Sequence, residues 1–352
     1  MNKSTPAPIT KLKIGVVGLG MGKNHVKGFK EHPAAEVVAA VDTNPERLAE
    51  QCKEFGIEGY PSLEAMLQKH KLDIISIVTP NKFHKELTIY ALEHGCHVLC
   101  EKPMAMNAAE AETMLQAARK ADRQLGINFS YRFQPQSFAM KRLMESGELG
   151  NIYFARSVWH RRRGMPGFGG WFGQKELSGG GPLIDLGVHR LDFALWLMDY
   201  PEPEWIMAGS YNHIASAIAD REKKAFDVED LAVAMIRFKN GAILELEASW
   251  AANIKEREQM STRLLGTKGG LLQYNLNEGY EFASEAYLEK DGCQYDMMLH
   301  PPVPEAKSSY YSFVDAIANN RPVPAGAQQG LTVMQILDAI YRSAATGQPV
   351  KM

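Results

Sequence analysis

A chain of 352 residues with 45% hydrophobic and 23% charged side chains holds enough apolar material for two globular domains. Its formal net charge of −2 excludes the basic field of a nucleic-acid binder, and no apolar run approaches the ~20 residues that span a bilayer. Cys52, Cys96, Cys100 and Cys293 form no disulfide framework, and Met1 to Thr10 carries Pro6 and Pro8 but no apolar signal core, so a reducing cytoplasm is the expected compartment.

Lys13 to Val17 reads as a strand, and Gly18-Leu19-Gly20-Met21-Gly22-Lys23 follows at once, leading into a helix to about His32. Gly18 and Gly20 suit a tight turn whose backbone N–H groups approach a pyrophosphate at a helix N-terminus. The third glycine of that fingerprint belongs at position 23, where this chain has Lys23; Gly22 stands one residue early. Glu36 to Val41 is a second strand ending in Asp42, about 20 residues beyond the glycines, where a ribose 2′-hydroxyl needs an acceptor. A carboxylate there repels a 2′-phosphate and favours NAD over NADP, although Arg47 is near enough to bear on the choice. Asn44 as N-cap with Pro45 behind it starts the next helix.

The alternation continues. Ser62 to Lys69 reads as helix, Ile74 to Val78 as a buried strand ending in Thr79-Pro80-Asn81, and Phe83 to His94 as helix. His97 to Glu101 is a strand that runs into Lys102-Pro103. Asn107 to Glu110 is a capping box opening a helix to Asp122, and Leu125 to Asn128 closes the series. A six-stranded, doubly wound parallel sheet is expected over residues 10–128, with five of its strands located. Ligands bind beyond the carboxyl ends of such strands, so Thr79, Asn81, Glu101 and Lys102 should line the cofactor edge. Cys96, His97 and Cys100 fit no zinc spacing, and strand alternation sends them to opposite faces; no metal is expected.

After Asn128 the pattern changes. Gln136 to Ser146 is an amphipathic helix. Strands are expected over Asn151–His160, Trp205–Asn212, Leu231–Phe238, Ala242–Trp250, Ser261–Gly266 and Leu271–Tyr274, with a Lys239-Asn240-Gly241 hairpin. Val303 to Ser309 is polar, and Tyr310–Asn319 and Gln328–Thr346 are closing helices. Residues 129–352 thus read as an α+β domain.

Within it, Ser178 to Pro182 leads into an apolar helix carrying Asp185, His189 and Asp192, whose spacings of four and three place them on one face. Buried polar groups need partners. A carboxylate four residues before an imidazole orients the ring and raises its basicity, a general-base arrangement. The same pair equally suits capping a buried helix or holding a domain interface. Upstream, Arg156 and His160-Arg161-Arg162-Arg163 precede a glycine-rich stretch, Gly164 to Gly173, whose Trp171 offers a flat face to stack on a ligand or to border a bound nicotinamide. Alternation sends His160 and Arg162 to one side and Arg161 and Arg163 to the other. An arginine here would recognise an anionic group or several hydroxyls, or form salt bridges at a subunit interface.

Together Gly18-Leu19-Gly20, Asp42, Thr79-Pro80-Asn81 with His84, Glu101-Lys102-Pro103, Arg132-Phe133-Gln134-Pro135, and Gly180-Gly181 through Asp185, Gly187, His189 and Asp192 resemble the glucose–fructose oxidoreductase / inositol dehydrogenase (Gfo/Idh/MocA) family over nearly the whole chain. The resemblance implies a nicotinamide domain followed by a large, mostly antiparallel sheet through which homodimers or homotetramers form. It implies a catalytic set at Lys102, Asp185 and His189. It implies cofactor contacts from Gly18, Gly20, Met21, Gly22, Asp42, Arg47, Thr79, Asn81, His84, Glu101, Lys102 and Asn128. Lys102, Arg132, His160, Arg162, Trp171, Asp185 and His189 are the expected substrate contacts. In the chemistry so implied, His189 takes the hydroxyl proton of a sugar or polyol as hydride leaves for NAD. Asp185 orients His189 and favours its protonated form, while Lys102 fixes the reacting hydroxyl. Two further readings stand beside it: a glycosidase that uses tightly held NAD transiently, and a non-catalytic NAD-binding regulator.

Overall fold

Short apolar runs, each followed by a helix, build the first sheet. A computed structural model describes residues 11–352, so the Pro6 to Pro8 segment lies outside the described residues. β1 (Leu12–Val17), β2 (Ala35–Val41), β3 (Glu58–Tyr60), β4 (Ile74–Ile77), β5 (His97–Cys100) and β6 (Leu125–Ile127) are all parallel, in the order β3-β2-β1-β4-β5-β6. The strand not located in sequence is β3, a three-residue edge strand too short for any periodicity to show. Helices α1 (Leu19–Lys30), α2 (Pro45–Phe55), α3 (Leu63–Lys69), α4 (His84–Glu93) and α5 (Ala108–Ala121) connect the strands. The caps form as expected: Asn44 Oδ1 accepts the Arg47 N–H at 2.9 Å, and Asn107 Oδ1 accepts the Glu110 N–H at 2.9 Å. Strand order reverses between β1 and β4, which places the ligand crevice at their carboxyl ends. Cys96 and Cys100 are buried in this domain's core.

The second sheet has nine strands in the order β14-β13-β12-β11-β7-β10-β9-β8-β15. They are β7 (Ile152–Arg161), β8 (Pro203–Tyr211), β9 (Leu231–Phe238), β10 (Ile243–Ser249), β11 (Glu258–Gly266), β12 (Gly269–Leu276), β13 (Glu281–Lys290), β14 (Cys293–Met298) and β15 (Val350–Lys351). Only β7 and β10 pair in parallel. Helices α6 (Pro135–Glu145), α7 (Lys175–Ser178), α8 (Val188–Leu197), α9 (His213–Glu222), α10 (Ser309–Ala318) and α11 (Ala327–Thr346) complete the chain. One face of the sheet packs on α6, α8 and α11; the other presents Arg156, Met207, Met235, Arg237, Glu245 and Glu247. β13, β14, β15, α7 and α9 add to the elements read from sequence. The inner face of β13 alternates Phe282, Ser284, Ala286 and Leu288, too weakly apolar to stand out, and β14 is exposed throughout.

The chain then turns back. Phe313 and Val314 of α10 join the cluster of Ile14, Val26 and Phe29 beside the first sheet, each worth roughly 1.5–3 kcal/mol of burial. Contact is close enough that a Cβ on Gly28 of α1 would lie 2.1 Å from the Tyr310 ring. Among the described residues, no helix is long and apolar enough to cross a membrane.

Candidate active site

The turn from β1 into α1 rests on Gly18. Its φ is +92°, and a Cβ there would strike the Val78 carbonyl oxygen at 2.4 Å, so only glycine fits. At Gly20 a Cβ would meet nothing, which leaves the backbone at the head of α1 open to a ligand. Gly22 carries the close helix–strand packing, with Val16 Cγ1 3.0 Å from its would-be Cβ, and Lys23 is exposed. The departure at position 23 therefore costs nothing in packing. Met21 is exposed beside this turn. A hollow of about 270 Å³ lies between the heads of α1 and α2, lined by Leu19, Gly20, Lys23, Asn44 and Arg47. These features fit a dinucleotide: a tight glycine turn, an open helix N-terminus and a hollow beside Asp42.

Asp42 is more fully engaged than a lone ribose acceptor. It receives the Leu19 N–H at 2.8 Å, the Asn44 N–H at 2.8 Å, and a bidentate pair from Arg47 at 2.9 and 2.8 Å. Burial opposes its ionisation, but the bonds from Arg47, Asn44 and Leu19 outweigh burial and hold its pKa below the ordinary value. Arg47 is thus an integral partner of Asp42.

Beneath the cofactor edge lies a buried network invisible in the motifs. Glu101 Oε1 lies 2.8 Å from His25 Nε2 and accepts Asn128 Nδ2; His25 Nδ1 lies 2.8 Å from Ser76 Oγ. Ser309, at the head of α10, donates to Asn128 Oδ1 at 2.6 Å. Burial pushes the Glu101 carboxyl up, but His25, Asn128 and Lys102 pull it down to about 2. Two expected cofactor contacts spend their polarity on backbone instead. Asn81 donates its amide to the Ser178 carbonyl at 2.7 Å, and buried His84 sits between the carbonyls of Pro103 (2.8 Å) and Thr79 (2.9 Å). His84 therefore fixes the two turns that flank Lys102. The Thr79 hydroxyl is buried without a partner.

Lys102 reaches across to the second domain. Its Nζ donates to Asp185 Oδ1 at 2.9 Å and to the Asp185 carbonyl at 3.0 Å, while Trp250 Nε1 donates to Asp185 Oδ2 at 3.1 Å. Asp185 sits on a π-helical turn, Leu183–Gly187, that leads into α8. Glu229 holds this turn: its carboxylate accepts the N–H groups of Gly181 (2.9 Å) and Leu183 (3.1 Å) and the Tyr341 hydroxyl (2.9 Å). Burial raises the Asp185 pKa, but Lys102, Arg161 and Trp250 outweigh it and keep the carboxylate ionised. Between Gly181 and Arg190, only Asp185 and His189 are not buried.

Asp185 does not orient His189, contrary to expectation. Both carboxylate oxygens are taken by Lys102 and Trp250, because a charged ammonium competes better for a carboxylate than a neutral ring does. His189 Nδ1 is buried without a partner, and the ring lies against Tyr131 (centroids 4.9 Å) and Trp159 (5.8 Å). Nor is its protonated form favoured: burial, reinforced by Lys102, Arg190 and Arg161, drives its pKa well below the ordinary value. The ring is neutral near pH 7, the state a general base requires.

Asp192 and Arg132 belong elsewhere. They pair with each other at 1% and 2% side-chain exposure. Arg132 also bonds Tyr200, Gln329 and the Pro324 carbonyl, so it is sealed from any substrate. His160 faces Glu247 on the opposite side of the sheet, with Nε2 3.3 Å from Oε2, and Arg162 is exposed beside the Lys255 carbonyl. The pair expected at the substrate thus points away, and Arg161 is the residue that faces inward, beside Glu258 and over Trp159. The choice between the two alternating sets was open in sequence, because nothing there marks which side of β7 α8 covers. Trp171 stacks on Phe172 with centroids 3.9 Å apart, and Phe172 meets Trp250 edge-on at 6.4 Å, so the glycine-rich loop rests on the partner of Asp185.

Residues 12–129 match a model of the GFO_IDH_MocA oxidoreductase family, described as an NAD-binding Rossmann fold, and residues 138–272 match the GFO/IDH/MocA C-terminal domain. The chain is 32% identical over 351 residues to D-glucoside 3-dehydrogenase of Escherichia coli (strain K12), covering 97% of each. It is 28% identical to levoglucosan dehydrogenase of Pseudarthrobacter phenanthrenivorans over 95% of this chain and 96% of that one. Among solved structures it matches an aldose–aldose oxidoreductase from Caulobacter crescentus complexed with glycerol, with a TM-score of 0.83, 28% identity and coverage of 97% and 100%.

Proposed function

Because the chain belongs to the Gfo/Idh/MocA family of NAD-binding oxidoreductases, we propose that it oxidises a secondary alcohol of a sugar, polyol or glycoside, with His189 as general base. The observation that carries this reading is the Lys102–Asp185 pair, which joins the carboxyl edge of the first sheet to the π-helical turn of the second domain, with a neutral imidazole four residues on.

Residues 10–128 hold the dinucleotide and residues 129–352 hold the sugar. Gly18, Gly20 and the head of α1 take the pyrophosphate, and Asp42 with Arg47 takes the adenosine ribose, which favours NAD over NADP. NAD, when bound, supplies the hydride acceptor. Lys102 donates to the reacting hydroxyl oxygen and stabilises negative charge as it develops there. His189 Nε2, which bonds to no described residue, accepts the hydroxyl proton. Asp185 aims Lys102 rather than His189. Trp250 and the loop above it keep water from the pair. In this reading, copies of the chain assemble through the open face of the nine-stranded sheet, and the protein works in the cytoplasm.

The test is a panel of neutral sugars, glycosides, inositols and sugar acids, each incubated with the protein and NAD while absorbance at the NADH band is followed. Accumulating NADH with at least one member is the expected result. Product release with no free NADH would assign the transient-oxidation route of a glycosidase instead, and NAD binding with no turnover of any member would leave a regulator.

A further inference from the structure

Glu258 opens β11 directly opposite Arg161 of β7, on the face of the sheet that carries Trp159. Its two oxygens are used very unequally. Oε1 accepts Trp159 Nε1 at 2.7 Å, Arg161 Nε at 2.8 Å and the Tyr280 hydroxyl at 3.0 Å. Oε2 makes no hydrogen bond to any described residue, although Glu258 is only 8% exposed. A sheltered carboxylate oxygen without protein donors must meet water or a ligand donor, because leaving it dry costs the desolvation of a charge. Three donors on Oε1 fix the carboxylate, so Oε2 presents a preset acceptor.

The acceptor lies at the reacting end of the sheet. Trp159, which donates to Glu258, has its ring 5.8 Å from that of His189. Gly164, just past β7, donates to the carbonyl of Trp250, the residue that bonds Asp185. Arg161 turns one N–H of each guanidinium nitrogen into the cluster: Nε to Glu258, Nη1 to the Gly164 carbonyl at 3.2 Å and Nη2 to the Tyr280 hydroxyl at 2.9 Å. Arg163 turns to the Ala252 carbonyl and Asn253. Of the arginines that in sequence invited an anionic substrate, Arg161 is paired with Glu258 while Arg162 and Arg163 turn to backbone carbonyls and Asn253, and the carboxylate of that pair keeps one oxygen without a protein donor.

We propose that Glu258 Oε2 binds a hydroxyl of the substrate at a position other than the reacting carbon, and that it makes the site select neutral polyhydroxylated sugars over sugars bearing a carboxylate. The inference rests on the sugar-dehydrogenase reading above. A neutral sugar offers Oε2 one of its own hydroxyls, whereas an acidic substituent at the same place meets the like charge of the Glu258 carboxylate.

The experiment uses the full chain with NAD and a neutral sugar paired with its uronic acid, comparing wild type with Glu258→Gln and Glu258→Asp. Michaelis constants and turnover are measured, and each sugar is titrated calorimetrically into the protein–NADH complex. Glu258→Gln should raise the Michaelis and dissociation constants of the neutral sugar roughly tenfold or more. Turnover should stay within a few-fold, and the neutral-over-acid ratio should narrow by about the same factor. Glu258→Asp keeps the charge but withdraws it, and should weaken the neutral sugar while preserving the bias against the acid. Unchanged constants and an unchanged ratio in both variants, with NADH binding intact, would overturn the proposal. Turnover is read separately: if no sugar yields NADH, the dehydrogenase reading fails, and the titrations still decide the role of Glu258.

Discussion

Two ion pairs bind the same two stretches of chain and end up with opposite properties. Lys102 and Arg132 both lie just beyond strands of the first sheet, and their carboxylates, Asp185 and Asp192, stand seven residues apart on one helical segment. Arg132–Asp192 is sealed, and its spare donors are spent on Gln329 and Pro324. Lys102–Asp185 is left 16% and 14% exposed. A closed pair has no valence left and serves as a joint between the domains. An open pair keeps donors for something else, so it is the one fit for chemistry. Each pair sets a basic side chain beyond a strand of the first sheet against an aspartate of the same helical segment; accessibility separates them.

The sharpest way to break this comparison is at the closed pair. Asp192→Ala strands a buried guanidinium and should cost about 3–5 kcal/mol of stability, read from denaturant midpoints, while the folded fraction keeps its turnover. Loss of turnover in fully folded Asp192→Ala would erase the distinction between the pairs. The open pair should behave in reverse. Lys102→Ala or His189→Ala should lower kcat roughly a hundredfold or more, with NADH affinity little changed and a small shift in melting temperature. Near-wild-type rates in both would remove the proposed proton path.

Acidity offers a third, smaller handle. His189 has its pKa driven well below the ordinary ~6.5, chiefly by burial. Oxidation should therefore be insensitive to this group at neutral pH and fall about tenfold per unit only below its depressed pKa. The sign for stability follows: the unfolded chain takes up this proton first, so the contribution is complete above ~6.5 and is lost as pH drops toward the folded value. A pH–rate break above 6.5 that vanishes in His189→Gln would show that the imidazole is charged in the free enzyme. The smallest expected effect is at Asp42. Arg47→Ala should change NAD affinity only several-fold, because Asp42 keeps its bonds from Leu19 and Asn44, while Asp42→Ala should erase the preference for NAD. Both are measured as dissociation constants for NAD and NADP.

The first domain was readable because its signals are local. Gly18, Asp42, Asn44, Asn107 and the Lys-Pro pair after β5 each work within a few residues of themselves, and the structure places all of them at strand ends or helix heads. The second domain was readable only in outline. Whether Arg161 or Arg162 faces α8 depends on which side of β7 is covered by a helix that begins only at Val188, beyond the glycine-rich loop, and no local pattern encodes that. Asp185 and His189 stand at an orienting distance in sequence, yet Asp185 is claimed by Lys102 from the other domain. His25, Trp250, Glu229 and Glu258 carried no motif at all; their partners lie tens of residues away. A buried charge among strand residues, as at Glu258, is the one trace such residues leave in sequence.

The return of α10 to the first sheet bears on how the chain matures as it is made. Synthesis proceeds from the N-terminus, and domains fold in that order. The nucleotide-binding half is threaded early, but Ser309, Tyr310, Phe313 and Val314 emerge some 180 residues after β6. Until then Ile14, Val26 and Phe29 lack their cover, and the Asn128 side-chain oxygen lacks the Ser309 hydroxyl. A ribosome-bound chain paused before residue 309 should therefore have a formed parallel sheet and an unfinished cofactor edge, open to protease beside α1 and slow to retain NAD. The cofactor edge should therefore be completed only once α10, which follows β7 to β14 in the chain, has been made.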